Sequence, residues 1–305
     1  MKKLLAVLLA GTMALSLAAC GGGKTTAGTA TKAAADTTAA GTENAAAEGK
    51  EDAGTELTGR LKAIKEAGVL KVATSPDYPP YEFEDITKDG QDKYVGADME
   101  LAKYIADKLG VKLQIEAMAF DACMAAIGQG RVDLTICGMV PKEERKTTMD
   151  FSDVYYNDGD QVIVIMKDSA DQYKSLADFA GQSIAAQNGT LQYDLVTTQI
   201  PDAKCEVVSA VTDGIMMLKT GKVAGIALAS VAADNYLANY PDLVECSQKF
   251  DYTSLGVVAG VVKDEPEFLE ELNGIIKEVV DSGNAVSVTL APGILNNIFD
   301  GIQRP

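Results

Sequence analysis

The chain of 305 residues contains no histidine and no tryptophan. Without an imidazole there is no Ser-His-Asp or Cys-His nucleophile and no His-based metal site. Cysteine is sparse: beyond Cys20 there are only Cys123, Cys137, Cys205 and Cys246, and no C-x-x-C pair. That spacing argues against a structural zinc or a thioredoxin-like centre, and the apolar text around each of the four fits a buried free thiol. Positive charge is in the minority, 27 Lys and Arg against 44 Asp and Glu for a formal net charge of −17. So acidic a chain is a poor partner for nucleic acid. After the N-terminal segment no stretch is long and apolar enough to span a bilayer. What remains is a globular composition, 47% hydrophobic and 23% charged, at a length that suggests about two domains.

The N-terminus reads as an address. Met1-Lys2-Lys3 is basic, Leu4 to Ala19 is apolar with small residues, and the stretch ends in Leu17-Ala18-Ala19-Cys20 before three glycines. This is the layout of a secretory signal. Its ending resembles the bacterial lipoprotein signal, which implies removal of residues 1–19 and lipid attachment to Cys20. Anchoring would then rest on acyl chains, at the extracytoplasmic face of the cell membrane. Residues 20–56 are predicted to be a flexible tether: 26 of them are Ala, Thr or Gly, and none is an aliphatic residue larger than Ala. A coil of that length spans roughly 30–35 Å end to end.

From residue 57 on, strands and helices alternate. Leu57 to Ala67 has helical spacing and stops at Gly68, and Val69 to Thr74 reads as a strand followed by a loop over Ser75 to Pro80. Met99, Ala102, Ile105, Ala106 and Leu109 mark a helix face closed by Gly110; Val111 to Ile115 alternates as a half-wet strand. A helix is expected after Phe120-Asp121, a buried strand over Val132 to Ile136, and a helix opened by Pro141 to Arg145. The pattern returns with strands at Ser183 to Ala186, Val207-Val208 and Val223 to Leu228. Helices follow Asn188-Gly189-Thr190 and Thr212-Asp213, the latter pair read as a cap. Such alternation predicts mostly parallel sheets covered by helices, in two lobes.

Several blocks occur in a specific order: Ser75-Pro-Asp-Tyr-Pro-Pro-Tyr-Glu-Phe83, Val95-Gly-Ala-Asp-Met-Glu-Leu-Ala-Lys103, Phe120-Asp121, Gly130-Arg-Val-Asp-Leu-Thr-Ile136, Gly138-Met139 with Glu144-Arg145-Lys146, Asp150 to Tyr156, and Ser175 to Gly181. From about residue 57 to about 280 the chain resembles the polar-amino-acid solute-binding proteins of bacterial ABC importers, the family-3 extracellular binding proteins. The resemblance implies an α/β, two-lobed periplasmic-binding-protein fold of type II, with a two-strand hinge and a ligand cleft between the lobes. Lobe 1 would comprise 57–157 and 256–305, and lobe 2 158–255. It implies a binding protein, not an enzyme, with no cofactor, that delivers an amino acid or related small carboxylate to ABC permease subunits. A ligand-sensing surface lipoprotein and a dehydratase-like enzyme on the same fold are the alternatives.

The expected site follows from both readings. Arg145 lies in the first turn of its predicted helix, just after a Gly-Met strand end, where a guanidinium can hold a carboxylate with two parallel bonds; the resemblance gives it the ligand's α-carboxylate. Thr190 stands at a helix start, where free N–H groups and a hydroxyl suit an anion or simply cap the helix. By resemblance Tyr78 and Phe120 are aromatic walls, while Tyr81 reads as packing; Gly138 marks a close backbone approach. Two positions depart from the family. Val140 replaces a usual Ser or Thr, and Ala229 replaces the Asp that usually pairs the ligand's ammonium. Either the ligand lacks a free ammonium and tolerates its blocking, or another acid substitutes, with Asp158 and Asp160 as candidates. Ser75, where some binders of basic amino acids carry Asp, disfavours Lys, Arg or ornithine. A secreted setting permits disulfides, with Cys205–Cys246 and Cys123–Cys137 the pairs to test.

Overall fold

The structure, a computed structural model, describes residues 57–281. The signal, Cys20, the tether and residues 282–305 lie outside the described residues. Helix α1 (Gly59–Ala67) leads into β1 (Val69–Thr74), with Gly68 between them at φ 65°. That left-handed turn is open to glycine without the Cβ penalty. There follow β2 (Asp77–Tyr78), β3 (Glu82–Glu84), β4 (Tyr94–Val95), α2 (Ala97–Leu109), β5 (Lys112–Ala117), α3 (Phe120–Gly128), β6 (Leu134–Thr135) and β7 (Met149–Phe151). The second run is β8 (Gln161–Met166), β9 (Ser183–Gln187), α4 (Leu191–Gln199), β10 (Lys204–Val208), α5 (Val211–Lys219), β11 (Gly225–Ala229), α6 (Ser230–Asn239) and β12 (Leu243–Glu245). Finally β13 (Gly260–Val262) and α7 (Pro266–Val279) complete the described chain.

Two five-stranded sheets organise these elements as two lobes, in the orders β5-β1-β6-β13-β7 and β10-β9-β11-β8-β12. In the first, β1 runs parallel to β5 and β6, while β13 returns antiparallel between β6 and β7. In the second, β9 runs parallel to β10 and β11, and β8 is antiparallel to β11 and β12. The chain therefore leaves the first sheet between β7 and β8 and re-enters it between β12 and β13. The two crossing segments touch at the antiparallel bridge of Tyr156 with Val257.

Burial on both faces explains the apolar runs. In β8, Val162 and Val164 enter one core with Ile226 and Ile215, and Ile163 and Ile165 enter the opposite core with Phe179 and Ile184. Alternating side chains that are all apolar demand cover on both faces, which helices supply. The first sheet is treated likewise: Leu70, Val72 and Leu134 pack with Leu101, Ile105, Phe268 and Leu272, while Ala73 faces Phe120, Cys123 and Ile127.

Three local expectations change. The loop from Ser75 holds β2, part of a small sheet β2-β3-β4. The helix expected from Pro141 is a single 3₁₀ turn, Glu143–Thr147, because β7 begins at Met149 and leaves no length for more. Thr212 and Asp213 do not cap α5. The helix already starts at Val211, and its N–H is taken by Asp77 Oδ2 of the other lobe at 2.5 Å. No helix among the described residues is long and apolar enough to cross a membrane.

Candidate functional site

Strand ends build the cleft. Beyond β1 comes Ser75 to Tyr78, beyond β6 Cys137 to Val140, beyond β9 Asn188 to Thr190, and β11 ends at Ala229. C-terminal strand ends are where α/β sheets expose backbone groups and loops to a ligand. Tyr78, Phe120, Gly138, Arg145 and Thr190, the five positions singled out in the sequence, all line one cavity between the lobes. The free space within it, open in part to solvent, is about 30 Å³, room for roughly two waters.

Arg145 is buried, 7% exposed. Its Nη1 donates to Val140 O at 2.8 Å and its Nη2 to Gly189 O, across the cleft, at 2.7 Å. The guanidinium carbon sits 5.3 Å from the Phe120 ring centre, so that aromatic wall also holds the cation. Two carbonyls and a ring orient the fork without neutralising it, and Arg145 forms no ion pair among the described residues. Burial pulls its pKa down. An unpaired buried cation is costly unless an anion meets it.

Thr190 is the N-cap of α4: its Oγ1 accepts from Tyr193 N at 3.4 Å and donates to Gln187 O at 2.8 Å. The cap role is thus filled, with the hydroxyl proton directed at the backbone. Gly138 adopts φ 58°, and a Cβ there would meet the Tyr78 ring at 3.1 Å. Its N–H donates to Asp98 Oδ2 at 2.7 Å.

Tyr78 does more than form a wall. Its ring stacks on Tyr81 at 5.8 Å, and its hydroxyl accepts the Ala229 N–H of the second lobe at 3.0 Å. Tyr81, read as packing, is buried and backs this ring while also lining the cavity. Beside it, Tyr236 donates to Asp77 O at 2.7 Å, and Gln187 donates to Asp77 Oδ2 at 3.1 Å. These contacts, with Asn188 to Asp121 at 2.7 Å, close the lobes on each other. Sequence reasoning missed Asp77, Gln187 and Tyr236; their one signal was position, next to Tyr78, at a strand end and on a helix facing the cleft.

The acids divide sharply. Asp160 is exposed and pairs with Lys249, so it is not a cleft residue. Asp158 is buried and lines the cavity. Gly159 between them takes φ 72°, a conformation open to glycine. Glu82, which also lines the cavity, is buried together with Asp98, and Glu82 Oε2 has no hydrogen-bond partner. Burial, and secondarily the Asp98 charge, push Glu82 well up; burial raises Asp98 to about 6 in spite of bonds from Gly138 N–H and Tyr155 Oη. A carboxyl raised above its unfolded value of about 4 costs stability once ionised. That cost is absent below the unfolded value and complete above the folded one. Thermal midpoints should therefore rise as the pH is lowered from about 7.5 to about 5. Asp98→Asn should flatten this slope relative to the parent protein, which separates it from general relief of negative charge. An unchanged slope in the variant would show that Asp98 is not the titrating group.

All four described cysteines are free, Cys123, Cys137 and Cys246 buried and Cys205 partly so. Neither Cys205–Cys246 nor Cys123–Cys137 is joined. Among the described residues no group of three Cys, Asp or Glu side chains is arranged to hold a metal ion.

The model of the bacterial extracellular solute-binding proteins, family 3, matches residues 70–288. The arginine-binding extracellular protein ArtP of Bacillus subtilis is 31% identical over 77% of this chain and 87% of its own length. The L-cystine-binding protein TcyA of the same organism is 32% identical over 57% of this chain and 62% of its own. Among solved structures, the amino acid ABC transporter substrate-binding protein AbpA of Streptococcus pneumoniae, bound to L-arginine, superposes with a TM-score of 0.72. It is 29% identical, over 79% of this chain and 99% of that one.

Proposed function

The chain belongs to the bacterial extracellular solute-binding proteins of family 3, and on that footing we propose that it is a membrane-tethered lipoprotein that captures an amino acid or related small carboxylate for an ABC importer. The observation that carries this reading is Arg145: a buried, oriented guanidinium without an acidic partner, on the wall of a cleft between two hinged lobes. Its geometry suits a carboxylate, which two parallel N–H donors can hold. Tyr78, Phe120, Gly138 and Thr190 complete the wall from both lobes, so closure forms the site and opening releases it. Relatives that bind arginine and L-cystine support an amino-acid ligand while spanning different side chains. A lipid on Cys20, followed by the Ala-, Thr- and Gly-rich segment, would keep the domain at the membrane that holds the permease subunits.

A thermal-shift screen of the full chain against amino acids, their derivatives and simple carboxylates tests the proposal. A ligand at about 100 times its Kd adds about 2.7 kcal/mol, which raises the midpoint by roughly 5–10 °C for a protein of this size. If none of these compounds moves the midpoint, the reading fails.

A further inference from the structure

We propose that Asp158 receives the ammonium of a zwitterionic ligand whose carboxylate is held by Arg145; this rests on the reading of the cleft given above. Asp158 is 3% exposed, lines the same cavity as Arg145, and forms no ion pair among the described residues. Neutral donors fix it instead. Gln161 Nε2 donates to Oδ2 at 2.7 Å, and the Ser254 hydroxyl donates to Oδ1. Gln161 is itself anchored by Gln192, whose Nε2 donates to its Oε1 at 2.7 Å. Tyr252 is also hydrogen-bonded to this carboxylate, and of its roughly four lone-pair positions at least one remains for a further donor.

The cavity thus carries a buried cation and, in Asp158, a buried carboxylate, each oriented by neutral groups and each without a counter-ion; the other acid on its wall, Glu82, is held towards its neutral form by burial and the Asp98 charge. A buried ionised group is strongly unfavourable alone, and less so when an opposite charge meets it. A molecule with a negative and a positive end satisfies both at once; an anion alone leaves Asp158 exposed to the full cost. The acid also stands in a telling place. The end of β11 offers only Ala229, and its N–H is already bonded to Tyr78. Asp158 lies instead on the first crossing segment and is bonded to Ser254 on the second, so its position is tied to both strands of the hinge. A cation bound there would be sensed where the lobes rotate.

The test is calorimetry on the full chain with L-arginine, L-glutamine and L-cystine, each beside its Nα-acetyl form, which keeps the carboxylate and removes the charge on nitrogen. In the parent protein at least one free amino acid should bind roughly 10- to 100-fold more tightly than its acetyl form, the range for loss of a charged hydrogen bond. Asp158→Asn should lower affinity for the free form by a similar factor and leave the acetyl form within about threefold, erasing the difference. Asp158→Glu, which keeps the charge, should retain the preference and so separates loss of charge from damage to the fold. Arg145→Lys should weaken free and acetylated forms alike. If it does so while Asp158→Asn leaves the preference intact, the carboxylate grip stands and the assignment of Asp158 falls. Equal binding of free and acetylated forms in the parent protein, or no binding of any free amino acid, also overturns it.

Discussion

Arg145→Lys should lower the affinity for a carboxylate ligand by roughly 10- to 100-fold, and Arg145→Ala by more, with calorimetry as the readout. The size follows from geometry rather than charge. The guanidinium spends one N–H on Val140 O and one on Gly189 O, and its central carbon lies 5.3 Å from the Phe120 ring centre. Those contacts lock the fork so that its remaining donors can meet two carboxylate oxygens in parallel. A lysine ammonium keeps the positive charge but is a single point on a flexible stem, and it cannot bridge Val140 and Gly189 while also meeting both oxygens. Thr190→Ala provides the contrast. Its hydroxyl is engaged with Gln187 and Tyr193, so its loss removes an N-cap worth about 1 kcal/mol of stability and has the smaller effect on affinity. Denaturant unfolding reads the first and calorimetry the second. Unchanged binding by Arg145→Lys would mean that the carboxylate is held elsewhere, and the cleft would have to be reassigned.

Cys20→Ser should abolish retention of the protein in the membrane fraction while leaving its thermal midpoint unchanged. The expectation rests on Leu17-Ala18-Ala19-Cys20 and on the Ala, Thr and Gly text that follows it. Acyl chains on a thiol would supply the anchor; no helix among the described residues is long and apolar enough to cross a membrane. Serine cannot be lipidated through a thioether, so the effect should be all or none. Fractionation of cells expressing the parent and variant proteins decides it, and full membrane retention of the variant would show that another element holds the chain.

Wherever a feature depends on a few neighbouring residues, the sequence alone determined it. The limits of β1 follow from the apolar run over Val69 to Thr74 and the glycine before it; Gly110 closes α2 because a left-handed turn follows its last apolar position. Arg145, Thr190 and Gly138 were read from their places after a strand or at a turn, and Tyr78 and Phe120 from the family resemblance; all five line one cavity, as strand ends converge in an α/β lobe. Features that join distant residues were decided by the tertiary structure. The first turn of α5 receives Asp77 from 134 positions away, so a cap sought among its neighbours was sought in the wrong place. Asp158 and Asp160 are equivalent in local text, both acidic and both near a crossing. Ser254, 96 positions on, meets the buried one, and Lys249 pairs with the exposed one. The physical reason is the same in each case: hydrophobic period and turn chemistry act over a few residues, whereas the burial of a charge is set by what the other lobe brings to it.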